Sequence, residues 1–434
     1  MCLKTKIKLF ITKLENAVHN KSLRDGFLFS GFSFVNRGFV FLLLLILANY
    51  ISPAEYGYLN LFNTVVMVIA YFMAMSTEGY FSLSYFSKSD FDYKIVYSGI
   101  VSISLVVSTL LIAILLVKGD IISELLSIPQ RSVYIAVAIA LFSIFQNLNL
   151  DYLRLQKKVG QYGAFSCLNA LLNFVLSILL VKTFAYGWEG RIYAQLASIL
   201  LFAVIAIYIF SSEHFFVKPS WACIKTMLLW GIPLIPHAAT NFLRQGCDRY
   251  IINAFHTIDD VGLFSFALNL ANIIMMVGVG FNQSNSVDIY KVLSDDTIDN
   301  NKKISILSRQ RRNILYLYVL ISAIIAVAII PIVPVLLPKY SGSIYYFVPL
   351  SLYGLFQCFY FLYTNYLFYY KKTKTIMMIT VGSALLHLLL SFIFTRYSLM
   401  YTCLIYLISQ GLVCLLIRCY AIKEISRKLY TIYN

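Results

Sequence analysis

Charged residues are scarce in this sequence. Asp, Glu, Lys and Arg make up 12% of its 434 residues, whereas hydrophobic residues make up 60% and the mean hydropathy is +0.78. A water-soluble fold cannot bury so much apolar side-chain surface, so the composition excludes an ordinary soluble protein. Apolar runs of about 20 residues recur along the chain, and each is long enough to cross the hydrocarbon core of a bilayer. The sequence therefore predicts an all-α polytopic membrane protein.

Several signatures of enzymes and metalloproteins are missing. The eight cysteines are scattered, with no CxxC pair and no Cys/His cluster, so we expect no metal site. The sequence contains no GxxxxGK[ST] phosphate loop, which argues against ATP hydrolysis by this chain. It also shows no arrangement of a nucleophile with an acid or base. We expect a protein that is not an enzyme and that binds no cofactor.

Acidic residues are few, 19 against 35 Lys and Arg, and the net charge is +16. Such a charge is also typical of nucleic-acid-binding proteins, but its distribution argues against that partner. If the N-terminus is cytoplasmic and the spans alternate, most basic residues fall in cytoplasmic segments. The opposite side receives only Lys118, Arg131, Lys182, Arg191, Lys339 and Arg396. Both termini are therefore predicted to be cytoplasmic, with the excess charge contacting anionic membrane lipids.

The apolar runs predict about twelve transmembrane helices. We divide the chain into a cytoplasmic amphipathic segment at 1–25, a six-helix bundle at 26–211 and a second six-helix bundle at 212–434. The predicted spans are 26–50, 56–79, 93–117, 131–152, 161–184, 189–211, 224–252, 261–287, 309–336, 343–369, 373–394 and 398–421.

An internal repeat supports the division into two bundles. The stretch YLRLQKK at 152–158 aligns with YLFYYKK at 366–372, and the similarity continues into the following helix. A second alignment sets SPAEYG at 52–57 over TIDDVG at 257–262. Two halves that follow each other in the same orientation predict a pseudo-two-fold axis along the membrane normal, with a central cavity between the halves. This architecture is typical of transporters.

The seventh span carries charges where a lipid-facing helix is apolar, in HAATNFLRQGCDRY at 237–250. Four of its polar residues are spaced four, three and four positions apart, which places them on one helical face. They are His237, Asn241, Arg244 and Asp248, whereas Arg249 lies outside this stripe. An ionised side chain at mid-bilayer costs about 2.5–3.5 kcal/mol on insertion scales, so the stripe must face protein or water.

The matching helices of both halves carry further polar residues. Arg37 in the first span aligns with a position two residues from Arg244. The second and eighth spans contribute Asn60, Thr64, Asn269 and Asn272. We interpret these helices as the walls of one polar, cationic substrate-binding cavity.

Simpler interpretations remain open for each of these residues. Arg244 and Asp248 are i,i+4 partners that can neutralise each other. Arg249 can extend to the outer interface, and His237 can be a hydrogen-bonded packing residue. The Asn and Ser stripes can serve as hydrogen-bonded contacts between helices.

Four short motifs resemble those of the polysaccharide repeat-unit flippases, the O-antigen and capsule translocases of the multidrug/oligosaccharidyl-lipid/polysaccharide exporter superfamily. They are NRGFVF at 36–41, SPAEYG at 52–57, YLRLQKK at 152–158 and the series GIPLIP, DRYII and DDVGLFSFA within 231–267. The family usually carries Tyr where Phe264 stands in this sequence.

The resemblance implies a carrier for undecaprenyl-diphosphate-linked oligosaccharides, which would be moved from the cytoplasmic to the outer leaflet of a bacterial inner membrane. It implies alternating access by two bundles, with H⁺ or Na⁺ as candidate coupling ions. It also implies a pathway with a polymerase and a chain-length regulator as candidate partners.

Two other functions are compatible with many membrane spans. A multidrug antiporter of the same superfamily would need acidic residues to bind cationic drugs, whereas the predicted cavity is net basic. A membrane O-antigen polymerase or ligase typically carries a large extracytoplasmic loop, whereas the longest loop predicted here, at 288–312, is cytoplasmic.

Overall fold

The computed structural model describes residues 21–86, 91–236, 240 and 242–429, and all regular structure in these residues is helical. The first half of the chain forms α1 (Lys21–Tyr50), α2 (Pro53–Met73), α3 (Glu78–Phe86), α4 (Tyr93–Leu126), α5 (Gln130–Leu155), α6 (Val159–Ile178) and α7 (Gly187–Ser212). The second half forms α8 (Trp221–Gly231), α9 (Cys247–Phe255), α10 (Ile258–Ser294), α11 (Asn300–Leu336), α12 (Ser343–Tyr369), α13 (Thr373–Phe394) and α14 (Leu399–Leu429). The predicted amphipathic segment at 1–25 lies almost wholly outside the described residues.

The helices have the length and surface of membrane spans. Among the described residues, 10 helices are long and apolar enough to cross a bilayer. Two shorter apolar stretches, Phe34–Tyr50 and Trp221–Leu234, fall in the predicted first and seventh spans. Large apolar side chains such as Leu116 and Val117 are exposed on the helix surfaces, as contact with lipid requires. The chain is a multi-pass membrane protein, and the predicted all-α fold is confirmed.

The helices pack into two compact units. Unit 1 contains the described parts of Met1–Ile51 and Leu61–Ala239, and unit 2 contains Ser52–Asn60 with the described parts of Thr240–Asn434. Helix α8 belongs to unit 1 because it packs on α4, where the missing side chain of Gly99 leaves room for the side chain of Met227. The predicted boundary between the two bundles, at 211/212, was set by counting six spans on each side. This boundary stays a prediction, as do the pseudo-two-fold axis and the cavity between the bundles.

The first sequence repeat has the same local geometry in both copies. Helices α5 and α12 end in matching turns, in which the N–H of Lys158 donates to Leu153 O at 2.9 Å and the N–H of Lys372 donates to Leu367 O at 2.8 Å. The residue before each of these lysines is left-handed, with φ of 55° at Lys157 and 56° at Lys371. Both turns are the capped helix end known as the Schellman motif.

The second repeat also recurs in the backbone. A capping box opens α2, where Ser52 and Glu55 bond each other's backbone N–H groups at 2.8 and 3.2 Å. Thr257 and Asp260 open α10 in the same way, with both bonds at 3.2 Å. Reciprocal hydrogen bonds of this kind fix the first turn of a helix.

The two capped turns also contact each other in unit 2. A Cβ added at Gly57 would lie 2.4 Å from Ile258 O, and one added at Gly262 would lie 1.8 Å from Pro53 O. Because Pro53 and Ile258 are themselves equivalent in the repeat, the contact is reciprocal. Both glycines are therefore required for a close backbone approach rather than for a turn.

The expectation of a long loop at 288–312 is wrong, whereas its cytoplasmic placement stays a prediction. Helix α10 continues to Ser294 and α11 begins at Asn300, so most of this stretch is helical. Asp299 caps α11 by accepting the N–H of Asn301 at 3.0 Å. The buried Nζ of Lys303 donates to Leu293 O at 3.2 Å and ties the two helix ends together.

Candidate functional site

The charged part of the seventh span lies on an interrupted helix. Helix α8 ends at Gly231 and is followed by a 3₁₀ turn, Ile232–Leu234, and by a π-helical turn, Phe242–Gly246, before α9 begins. Pro233 and Pro236 lack the N–H groups that a continuous α-helix would use. The candidate residues His237 and Asn241 lie outside the described residues.

Asp248, at the start of α9, is buried with a relative exposure of 0%. Its Oδ2 lies 2.8 Å from Nε2 of His387, and its Oδ1 accepts a hydrogen bond from Ser391 Oγ. Nδ1 of His387 lies 3.0 Å from Ser409 Oγ on α14. We call Asp248, His387, Ser391 and Ser409 the Asp248 cluster, and it ties α9 to α13 and α14 within unit 2.

The Asp248 cluster is almost completely shielded from solvent, since His387 is 1% exposed and Ser391 is 0% exposed. The ring of Tyr406 packs edge-on against His387, with ring centroids 4.7 Å apart. A buried carboxylate is tolerated only when it is paired and hydrogen-bonded, and both of its oxygens are bonded here. The bonding partners of Asp248 are thus on α13, which differs from the i,i+4 pairing with Arg244 considered above.

Each of the two arginines of this region donates a hydrogen bond to a neutral side chain. Arg244, in the π-helical turn, donates from Nη2 to Gln410 Oε1 on α14. Arg249 donates from Nε to Ser265 Oγ on α10 at 3.3 Å. Both arginine residues are half-buried. Arg249 therefore contacts α10.

The polar residues of α2 and α10 occupy different environments. Asn60 is 5% exposed and donates to Tyr56 O of its own helix at 2.8 Å, and Thr64 is 1% exposed. Asn269 is half-buried and donates to the Tyr56 hydroxyl at 2.7 Å, which links α10 to α2. Asn272 is also half-buried. Their roles as cavity residues stay predictions, and Asn269 at least forms a contact between helices.

Arg37 belongs to α1, and its side chain lies outside what the structure describes. His387, Ser391 and Ser409 were absent from the predicted site. A sequence signal for two of them existed, because the first repeat aligns His387 and Ser391 with the polar residues Asn173 and Ser177. Their spacing of four positions places them on one face of α13.

A family model described as "Polysaccharide biosynthesis protein" matches residues 22–287, which is more than half of the chain. The chain belongs to this family. Two proteins of Haemophilus influenzae are similar to this chain. A protein of the Lsg locus is 25% identical over 359 residues, which are 80% of this chain and 84% of the relative. An uncharacterized membrane protein is 23% identical over 358 residues, with the same coverage of 80% and 84%.

Solved structures show the same fold at low sequence identity. The inward closed conformation of the lipid II flippase MurJ has a TM-score of 0.70 and 16% identity, and covers 92% of this chain and 89% of its own. The inward-facing conformation of a multidrug resistance MATE family transporter has a TM-score of 0.68 and 15% identity, and covers 90% of this chain and 96% of its own. The chain thus has the same fold as these transporters.

Proposed function

We propose that this protein moves undecaprenyl-diphosphate-linked oligosaccharide repeat units from the cytoplasmic to the periplasmic leaflet of a bacterial inner membrane. The product would serve O-antigen or capsule synthesis, with a polymerase and a chain-length regulator as downstream partners. The observation that carries the proposal is the pair of partly exposed arginines, Arg244 and Arg249, on the interrupted seventh span of a family member with a transporter fold.

A lipid-linked oligosaccharide as substrate would explain why a membrane helix carries these arginines. Each sugar hydroxyl that enters hydrocarbon without a partner costs about 2–7 kcal/mol, so several sugars cannot cross a bilayer unaided. A diphosphate adds negative charge that needs cationic partners. Arginine presents a planar fork that matches phosphate oxygens and keeps its charge in a poorly hydrated site.

The position of Asp248 keeps Arg244 suited to an anionic ligand. Because His387 and Ser391 hold both Asp248 oxygens, Arg244 contacts the neutral amide of Gln410 instead. An incoming phosphate would then replace a neutral acceptor with a charged one. We extend the same role to Arg37, which the repeat sets at similar depth in the first bundle.

A multidrug antiporter is the main competing function. A site for cationic drugs needs an accessible carboxylate, whereas the Asp248 carboxylate is buried and fully bonded. A polymerase or ligase is a weaker alternative, because the sequence offers no nucleophile with an acid or base.

The test is complementation of a strain that lacks this protein. We expect Arg244→Ala, expressed at the wild-type level, to lose most surface glycan, and Arg244→Lys to retain part of it because Lys keeps the charge but not the fork. Arg396→Ala is the matched control, since Arg396 is exposed and contacts Tyr397 of its own turn. Full surface glycan in Arg244→Ala cells would contradict the proposed role of Arg244.

The leaflet in which lipid-linked repeat units accumulate separates the functions. In cells lacking a flippase, the repeat units remain on the cytoplasmic leaflet. Accumulation on the periplasmic leaflet would instead indicate a polymerase, and unchanged glycan together with new drug sensitivity would indicate an antiporter.

For the coupling ion we propose H⁺ rather than Na⁺. A hard cation such as Na⁺ is bound by several oxygen ligands, by analogy with Ca²⁺ and Mg²⁺. In the Asp248 cluster, an imidazole nitrogen and a hydroxyl already occupy the carboxylate oxygens. Coupling to H⁺ does not require such a set of oxygen ligands. Glycan movement in proteoliposomes should therefore respond to an imposed pH gradient and not to a Na⁺ gradient; the opposite response would refute H⁺ coupling.

A further inference from the structure

Unit 1 contains a polar stripe that matches the Asp248 cluster through the first sequence repeat. Asn173 and Ser177 on α6 align with His387 and Ser391 on α13. Each copy also bonds a serine of the following helix, since Asn173 Nδ2 donates to Ser198 Oγ on α7 at 2.9 Å and His387 Nδ1 lies 3.0 Å from Ser409 Oγ on α14. The two stripes therefore occupy corresponding positions in their own units.

The residue that faces each stripe differs. The second repeat sets Leu43 at the position of Asp248, and helices α1 and α9 end in register with it, at Tyr50 and Phe255. In unit 2, Asp248 is hydrogen-bonded to His387 and Ser391 of the stripe. In unit 1, the side chain of Leu43 has no atom that can hydrogen-bond to the amides.

A cavity of about 300 Å³ lies at this position in unit 1, between α1, α5, α6 and α7. Leu43 is one of its lining residues. Amide side chains from all four helices face it, and they are Asn36, Gln146, Asn169, Asn173 and Gln195. The polar surface is thus gathered from separate helices into one concave site, as in small-molecule binding sites.

Two of the amide oxygens that line the cavity have no hydrogen-bond donor among the described residues. Asn169 uses its Nδ2 to donate to Gln146 Oε1 at 3.1 Å. The buried Oδ1 atoms of Asn169 and Asn36 accept no hydrogen bond from any residue that the structure describes. A buried acceptor without a partner is costly, and a ligand with hydroxyl donors would satisfy both.

The remaining lining selects among ligands. Phe39 and Phe174 form an aromatic wall, with ring centroids 5.6 Å apart. Among the described residues that line the cavity, Arg191 is the one with a charged side chain, so cations are disfavoured. A ligand that matches this lining has hydroxyl donors for the amide oxygens, an apolar face for the aromatic rings and either no charge or a negative charge. A sugar ring has these properties.

We propose that this cavity binds one saccharide unit of the transported glycan, with acidic sugars preferred over neutral ones because of Arg191. The inference rests on the proposed function, to which it adds a site for the glycan that is separate from Arg244. The repeat has then diverged into a buried ionisable cluster in unit 2 and a sugar site in unit 1.

The test measures binding of free glucose and free glucuronate to the full-length protein in lipid nanodiscs by saturation-transfer NMR. We expect both sugars to bind at millimolar concentration or below, with glucuronate binding more tightly. Replacing Asn169 with Leu removes one to two hydrogen bonds and should weaken binding about 3- to 10-fold. Ala170→Phe, which fills the cavity from α6, should abolish binding.

Asn149→Leu is the matched control, because Asn149 is a buried amide of unit 1 that does not line the cavity. It should leave sugar binding unchanged. Equal binding by the wild type, Asn169→Leu and Ala170→Phe would overturn the inference, and so would an absence of binding by the wild type. Either result leaves the proposed function standing if the protein restores surface glycan. Saccharide binding without any restoration would refute the flippase and retain the site.

Discussion

Asp248 and His387 are joined by an Oδ2–Nε2 contact of 2.8 Å, although they lie on different helices and are both shielded from solvent. Neither residue type is expected in the core of a membrane bundle unless it has a partner, because an isolated charge there is expensive. The pair therefore makes the folding of unit 2 depend on both side chains at once.

The first prediction concerns the stability of this pair. Removing one member leaves the other without its partner, so we expect Asp248→Leu and His387→Leu each to lower the free energy of unfolding by about 3–5 kcal/mol. The double variant should lose clearly less than the sum of the two, because no unpaired group is left behind. Unfolding of the purified protein in detergent measures all three values.

Ser104→Ala serves as the control for this cycle. Ser104 is equally buried, and its Oγ donates to Ile100 O of its own helix at 2.9 Å, so its loss should have a small effect. Strictly additive losses for Asp248 and His387 would show that the two side chains do not depend on each other.

The second prediction concerns the reciprocal glycine contact. Gly57→Ala and Gly262→Ala would place a Cβ against the backbone carbonyls of Ile258 and Pro53, and backbone cannot move as a flexible side chain can. Overpacking of this kind costs about 1–3 kcal/mol. Gly382→Ala is the control, because a Cβ there meets nothing within 4 Å. It should stabilise α13 by up to about 1 kcal/mol through helix propensity.

Thermal unfolding of the three alanine variants in detergent provides the comparison. We expect Gly382→Ala to melt at a higher temperature than the wild type, and Gly57→Ala and Gly262→Ala to melt at lower temperatures. A wild-type melting temperature for Gly262→Ala would contradict the close approach.

The third prediction uses the matched helix ends of the first repeat. Lys157 and Lys371 have a left-handed backbone that costs most residues about 1–2 kcal/mol, and glycine adopts it freely. We therefore expect Lys157→Gly and Lys371→Gly to stabilise the protein by up to about 1 kcal/mol each, as measured by unfolding in detergent.

The next residue in each turn controls for the lost charge. Lys158 and Lys372 have φ of −81° and −90°, so glycine gains nothing there and adds freedom to the unfolded chain. Lys158→Gly and Lys372→Gly should be neutral or destabilising. Stabilisation of the same size at both positions of a turn would mean that charge, and not backbone conformation, sets the effect.

Most of the fold could be predicted from composition and repeats, because both can be read directly from the sequence. Length and hydropathy predict spans, and the aligned motifs at 52–57 and 257–262 turned out to share one capping box. The site was predicted less well. Helical spacing placed Asp248 on a polar face but could not choose between a partner on its own helix and His387, which is 139 positions away. That choice depends on packing between helices, which no periodicity encodes.

The fourth prediction concerns orientation, which rests on the distribution of basic residues. With both termini cytoplasmic, the turn between α11 and α12 lies on the periplasmic side. Alkaline phosphatase fused after Ser341 should therefore be active, whereas the same enzyme fused after Lys372, between α12 and α13, should be inactive. A fluorescent protein fused after the last residue should be bright, since it folds poorly in the periplasm when exported unfolded. The reversed pattern would place the termini outside, and the basic segments would then face the leaflet that the positive-inside rule disfavours.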